Sequence, residues 1–229
     1  MPKMVALVGG NEFRPNCALM DRALLAQVSK PPRVRILPTA ARENPRQAAQ
    51  NGIRYFEELG AEAEAVNILN RPDAQNPALI SRLEEADLLY FAGGDPTYLL
   101  EVFQDSPAWE EVLRLWLRNR VLAGSSAGAM ILGGKMWNPG KGWREGLGVV
   151  PGLAVLPHHA SLASRWDVRE MLLSLPAGFT LAGIDEATAL VGPPWQVLGV
   201  GEVALYRPGQ ISPAPQVFTR GQEVIFPNP

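Results

Sequence analysis

The sequence predicts an α/β protein of three layers, a doubly wound, mostly parallel sheet with helices on both faces. Three observations carry this. Short apolar runs alternate with helix-spaced segments through Ser126, the order that yields parallel strands joined by covering helices. Four helix starts are written as a capping residue followed by proline: Asn44-Pro45, Asn76-Pro77, Asp95-Pro96 and Ser106-Pro107. Beyond Ala187 the apolar runs shorten and are broken by Gly and Pro, which predicts antiparallel strands at one edge of the sheet.

Met4–Val8 reads as a buried first strand closed by Gly9-Gly10, and Cys17–Val28 has helical spacing. Val34–Leu37 is a second strand. Asn44-Pro45 opens a helix, with Gln47 where a capping box wants it and Gly60 as its stop. Ala63–Leu69 reads as a third strand, and Asn76-Pro77 opens another helix. Asp87–Phe91 is a strand ending at Gly93-Gly94, and helices follow from Asp95-Pro96 and Ser106-Pro107. From Gly133 to Gly152 the Gly, Trp and Pro content predicts a loop or hairpin, a candidate flap. Leu153–Leu156, a helix over Arg165–Leu175 and a strand over Phe179–Ile184 complete the reading.

The 229 residues suit one domain over 1–229, with 47% hydrophobic and 19% charged residues. A net charge of −2 without a Lys/Arg cluster argues against nucleic acid as partner. No apolar run reaches transmembrane length or signal-peptide form, and Cys17 is the only cysteine, so a cytoplasmic protein without disulfides is expected. No zinc motif, phosphate loop or dinucleotide fingerprint is complete, so no metal or cofactor is expected.

Val121–Met130 reads as strand, sharp turn and helix around Gly124-Ser125-Ser126-Ala127-Gly128, the context of a nucleophile elbow. Ser126 is the candidate nucleophile. Small Gly/Ser/Ala runs also arise where a helix packs closely on a sheet, so the motif needs partners. A serine hydroxyl needs a base, and His158 and His159 are the two imidazoles in the chain. Neighbouring side chains at a strand end point to opposite sides, so one of them should reach Ser126, and His158 is favoured. Asp185 and Glu186 lie in an apolar run; the division expected is a turn-capping Asp185 and a base-orienting Glu186. Ala127 N–H, with Gly93 or Gly94 N–H, can hold an oxyanion.

Phe91-Ala92-Gly93-Gly94-Asp95, Gly124–Ala129, the histidine after Leu156-Pro157, and Gly183–Leu190 together resemble, in order, the Ser-His-Glu peptidases that include aspartyl dipeptidase (peptidase E) and cyanophycinase. The resemblance implies a fold like that of class I glutamine amidotransferases, with Ser126 as nucleophile, His158 as base and Glu186 as acid. It also implies a serine peptidase acting on short peptides, with a preference for an aspartyl or other acidic residue held by Arg165 or Arg169. Asp95 and His159 complete the expected substrate contacts. His159 stands where such enzymes commonly carry phenylalanine, and Leu156-Pro157 where the dipeptidase has asparagine-proline. Alternatives are an amidase or transferase on a small amide or β-aspartyl substrate, or a non-catalytic binding protein. The expected partner is a small peptide, with no membrane involved; a homodimer is allowed and not specified.

Overall fold

A computed structural model describes residues 3–28, 30–162, 167–208 and 214–226. The first half of the chain runs β1 (Val5–Val8), α1 (Ala18–Leu25), β2 (Arg33–Leu37), α2 (Pro45–Glu58), β3 (Glu62–Ala65), α3 (Pro77–Ile80), β4 (Leu88–Phe91), α4 (Pro96–Phe103), α5 (Pro107–Leu117), β5 (Val121–Ser125) and α6 (Ala127–Leu132). There follow β6 (Gly133–Asn138), β7 (Gly142–Glu145), β8 (Val150–Leu156), α7 (His159–Leu162), α8 (Val168–Ser174), β9 (Thr180–Ile184), β10 (Thr188–Gly192), β11 (Gln196–Gly199), β12 (Val203–Tyr206) and β13 (Gln216–Phe218).

The main sheet has the order β11-β10-β1-β5-β4-β2-β3. β1, β5, β4, β2 and β3 are parallel, whereas β10 pairs antiparallel with both β1 and β11. Alternate residues serve opposite faces, as strand geometry requires. Val5 and Leu7 of β1 join Leu89, Phe91 and Leu122 in one core, with α4, α5 and α6. Ala6 and Val8 join Ile36, Tyr90 and Ala123 in the other, with α1 and α2. This three-layer arrangement is the architecture the sequence predicts.

A second sheet, β13-β12-β9-β8-β6-β7, was not foreseen. Its β6, β8 and β9 are parallel, and β7, β12 and β13 run against their neighbours. Residues 133–152 therefore supply the β6–β7 hairpin and the start of β8, with Trp137 and Trp143 packed edge to face at 5.1 Å. The strands after Ala187 divide between the two sheets instead of sharing one edge. A run's periodicity says that one face is buried; it does not say against which sheet.

Three of the four proline-marked helix starts are capped by the side chain before the proline. Asn76 accepts from Ala78 N–H at 3.0 Å, Asp95 from Tyr98 N–H at 3.0 Å and Ser106 from Trp109 N–H at 3.1 Å. Each such cap contributes about 1 kcal/mol. At α2 the capping box does not form: Asn44 makes no side-chain cap bond, and Gln47 donates to Asn51 one turn on, at 2.8 Å. The third strand ends at Ala65, four residues before the predicted Leu69. Among the described residues no helix is long and apolar enough to cross a membrane.

Candidate active site

β5 delivers the chain into the elbow. Ser126 has φ 49° and ψ −107°, a left-handed conformation that costs a non-glycine residue roughly 1–3 kcal/mol and persists only where its surroundings impose it. Gly124 and Gly128 make the turn sterically feasible. A Cβ on Gly124 would lie 2.5 Å from the Gly128 carbonyl, and one on Gly128 would lie 2.6 Å from the Phe91 carbonyl oxygen.

Ser126 Oγ lies 2.9 Å from His158 Nε2, and His158 Nδ1 lies 2.8 Å from Glu186 Oε1. An ionised carboxylate can only accept, so Nδ1 carries the proton and Nε2 presents its lone pair to the serine hydroxyl. The three residues predicted as nucleophile, base and acid thus form one hydrogen-bonded chain at the carboxyl end of the main sheet, where open α/β sheets place their sites.

The backbone of the first turn holds all three in register. The carbonyls of Val8, Gly9 and Gly10 accept, one after another, from the N–H groups of Ser126 (2.9 Å), His158 (2.7 Å) and Ala187 (3.0 Å). Those three donors have φ of 49°, 49° and 52°. Three strained residues from distant stretches are therefore fastened to one tripeptide. Both glycines are needed: a Cβ on Gly9 would lie 2.1 Å from the Asp185 carbonyl oxygen, and one on Gly10 2.2 Å from His158 Cε1. In the sequence, Gly9-Gly10 reads only as a turn. The signal available was a second glycine pair at a strand end, matching Gly93-Gly94.

The two histidine rings diverge. His159 Nε2 lies 2.8 Å from the Tyr206 hydroxyl and Nδ1 3.4 Å from Asp185 Oδ1, with the ring covering Gly183. This sets the His159 ring against β9 and β12. Asp185 also accepts from Ala160 N–H (2.9 Å) and Glu202 N–H (3.0 Å), a turn-holding arrangement. Burial, followed by the nearby Asp185 charge, pushes the Tyr206 hydroxyl pKa up.

At the end of β4 the two glycines differ. Gly93 N–H donates to Glu12 Oε1 at 2.7 Å, so this predicted oxyanion donor is already engaged. Gly94, at φ 142°, fits tightly because a Cβ there would meet the Ala40 carbonyl oxygen at 2.1 Å. Among the described residues neither Gly94 N–H nor Ala127 N–H has an acceptor. Asp95 caps α4, and Arg42 lies 3.3 Å from its carboxylate while stacking over the Tyr98 ring at 4.4 Å. Arg169 is exposed on α8, and Arg165 lies outside the described residues. Glu12, which also accepts from the Ser125 hydroxyl at 2.7 Å, has no local sequence signature, because its partners are 81 and 113 residues away.

Cys17 is buried, which with the Asp21 charge pushes its thiol pKa up to about 12 and leaves it unreactive. Among the described residues no cluster of His, Cys, Asp and Glu could hold a metal ion.

A crystal structure of a peptidase from an acI-B1 actinobacterium superposes with a TM-score of 0.87 at 32% identity, covering 97% of this chain and 96% of that one. The uncharacterized peptidase YgaJ of Bacillus subtilis is 28% identical over 135 residues, 57% of this chain and 56% of that protein. A cyanophycinase from Synechococcus elongatus is 27% identical over 100 residues, 43% of this chain and 31% of that protein. The chain thus spans about half or less of the curated relatives' length. The model of peptidase family S51 matches residues 4–192, across the elbow, both histidines and Glu186. The chain belongs to peptidase family S51.

Proposed function

We propose that the protein is a cytoplasmic serine-type exopeptidase that hydrolyses short peptides, with a preference for an aspartyl or other acidic residue, through an acyl-enzyme. The observation that carries this reading is the unbroken chain Glu186–His158–Ser126. Ser126 Oγ attacks the scissile carbonyl carbon while its proton passes to His158 Nε2. The carbonyl π pair moves onto oxygen, and this oxyanion is held by Ala127 N–H and Gly94 N–H. On collapse the C–N bond breaks, and the amine leaves with the proton returned by His158. Water repeats the sequence on the ester, with His158 again as base. Glu186 keeps the imidazole in its productive tautomer and stabilises the imidazolium. The acidic preference follows from the family resemblance, with Arg165 or Arg169 as carboxylate clamp.

A fluorophosphonate probe and a dipeptide panel test the reading. Wild type is expected to be labelled at Ser126 and to cleave aspartyl dipeptides in preference to alanyl ones. Ser126→Ala should abolish both, and His158→Ala should slow both by about 10²–10⁴-fold. A folded wild type that resists the probe and cleaves nothing in the panel would leave only a binding role. The match to cyanophycinases favours a second reading, an amide or β-aspartyl substrate, and β-aspartyl-arginine in the panel separates the two.

A further inference from the structure

Glu12 stands outside the Ser126–His158–Glu186 chain, yet its carboxylate reaches both turns that border Ser126. Oε2 accepts the Ser125 hydroxyl and Oε1 accepts Gly93 N–H, each at 2.7 Å. Charge-assisted bonds of this length are about twice as strong as neutral ones. The Ser125 side has no access to water, since that residue is fully buried.

The chain is bent on either side to put the carboxylate there. Asn11 has φ 63° and Phe13 has φ 61°, and a bulky aromatic residue rarely adopts that conformation. The strain is held in place from below. The Phe13 ring packs on Tyr55, Phe56 and Tyr90 at centroid distances of 5.9, 6.0 and 5.4 Å, and the Cys17 thiol donates to the Asn11 carbonyl at 3.2 Å. Residues strained and over-determined in this way concentrate where geometry serves function. Gly93 separates this carboxylate from the nucleophile: a Cβ there would lie 2.9 Å from Glu12 Oε1 and 3.2 Å from Ser126 Cβ.

We propose that Glu12 is the positioning residue of the oxyanion site, tying the Gly93-Gly94 turn to the Ser125-Ser126 turn so that Gly94 N–H and Ala127 N–H address the same oxygen. The inference rests on the Ser126 mechanism proposed above. Without the carboxylate, the Gly93 amide and the buried Ser125 hydroxyl lose their acceptor, and the peptide planes rotate to find others. Gly94 N–H turns with them, and oxyanion donors act only when fixed in advance. The contribution is geometric, because a negative charge this close to Ser126 opposes the charge that develops during attack. Glutamine can preserve it: the amide oxygen accepts from Gly93, and the amide N–H donates to the Ser125 hydroxyl oxygen.

The test is the second-order rate of fluorophosphonate labelling, per folded protein by circular dichroism, together with kcat and KM on the best dipeptide. Glu12→Ala is expected to lower the labelling rate and kcat by about 10²-fold, as loss of one oxyanion donor does, with KM little changed. Glu12→Gln should stay within a few-fold of wild type. Should Glu12→Ala fail to fold, Ser125→Ala, which cuts one tie, is expected to label more slowly than wild type. Wild-type labelling in Glu12→Ala, or in Ser125→Ala where that stands in, overturns the inference, as does a change confined to KM. So does a glutamine variant as slow as the alanine one, since charge would then be the cause. In each of these cases wild type is still labelled, so the Ser126 mechanism survives; an unlabelled wild type removes that mechanism and the inference with it.

Discussion

Gly10→Ala probes the geometry of the base most directly. The new methyl carbon would stand 2.2 Å from His158 Cε1 and 2.6 Å from Nε2. Carbon atoms settle at about 3.5–4.0 Å, so the ring must retreat by about 1.3 Å or more. A displacement of that size breaks the 2.9 Å contact with Ser126 Oγ. Misplacement by about 1 Å costs roughly 10²-fold, and loss of a general base costs roughly 10²–10⁴-fold. The expected loss in kcat/KM and in fluorophosphonate labelling is therefore about 10²–10⁴-fold, or about 3–5 kcal/mol of barrier. Position 10 also has φ 124°, so alanine lowers stability by roughly 1–3 kcal/mol through backbone strain alone. Gly60→Ala separates the two effects: Gly60 has φ 87° with nothing within 4 Å of its Cβ position. That control should lose thermal stability and keep wild-type labelling. A folded Gly10→Ala protein labelled within twofold of wild type would refute the reasoning.

Two further outcomes concern groups behind the site. Asp21 is fully buried, and that burial, opposed by its hydrogen bond from Tyr55 and reinforced by the Glu12 charge, raises its pKa from 3.8 to about 7. Between those values the unfolded chain has released this proton while the folded chain keeps it, so stability falls as pH rises through the window and levels off above it. At about 1.4 kcal/mol per pH unit the effect reaches a few kcal/mol. Asp21→Asn, which can still accept from Tyr55, should gain stability over wild type between pH 5 and pH 8 in urea unfolding, and a pH-independent difference would contradict this. His159→Ala gives up the Tyr206 and Asp185 partners, so it should cost roughly 1–3 kcal/mol of stability and leave labelling within a few-fold; lost labelling at full stability would mean that His159 serves the chemistry.

What the sequence disclosed was local. The Gly124–Gly128 spacing states its own turn, because each glycine is demanded by backbone a few residues away or on the next strand. Asn76, Asp95 and Ser106 each cap within three residues, so their helix starts can be read directly. Asn44 shows the limit, since the same letters followed by Gln47 produce no capping box. For the adjacent histidines, side-chain alternation says only that the two rings diverge; which of them faces Ser126 is set by the turn after β8, where His158 has φ 49°. Two things had no local signature. One is the division of strands between two sheets, decided by long-range packing of β8, β9 and β12. The other is Glu12, whose purpose exists only once residues 93 and 125 have been brought to it.

Because the amides of Ser126, His158 and Ala187 are anchored on consecutive carbonyls at residues 8 to 10, the candidate site takes its geometry from a single tripeptide. β1 enters mid-sheet between β10 and β5, so these anchors exist only after segments some 180 positions apart in the chain have met. A nascent or partly opened molecule whose leading strand has come away retains a serine, an imidazole and a carboxylate with no common frame. Such a molecule lacks the Ser126–His158–Glu186 geometry on which the proposed hydrolysis depends.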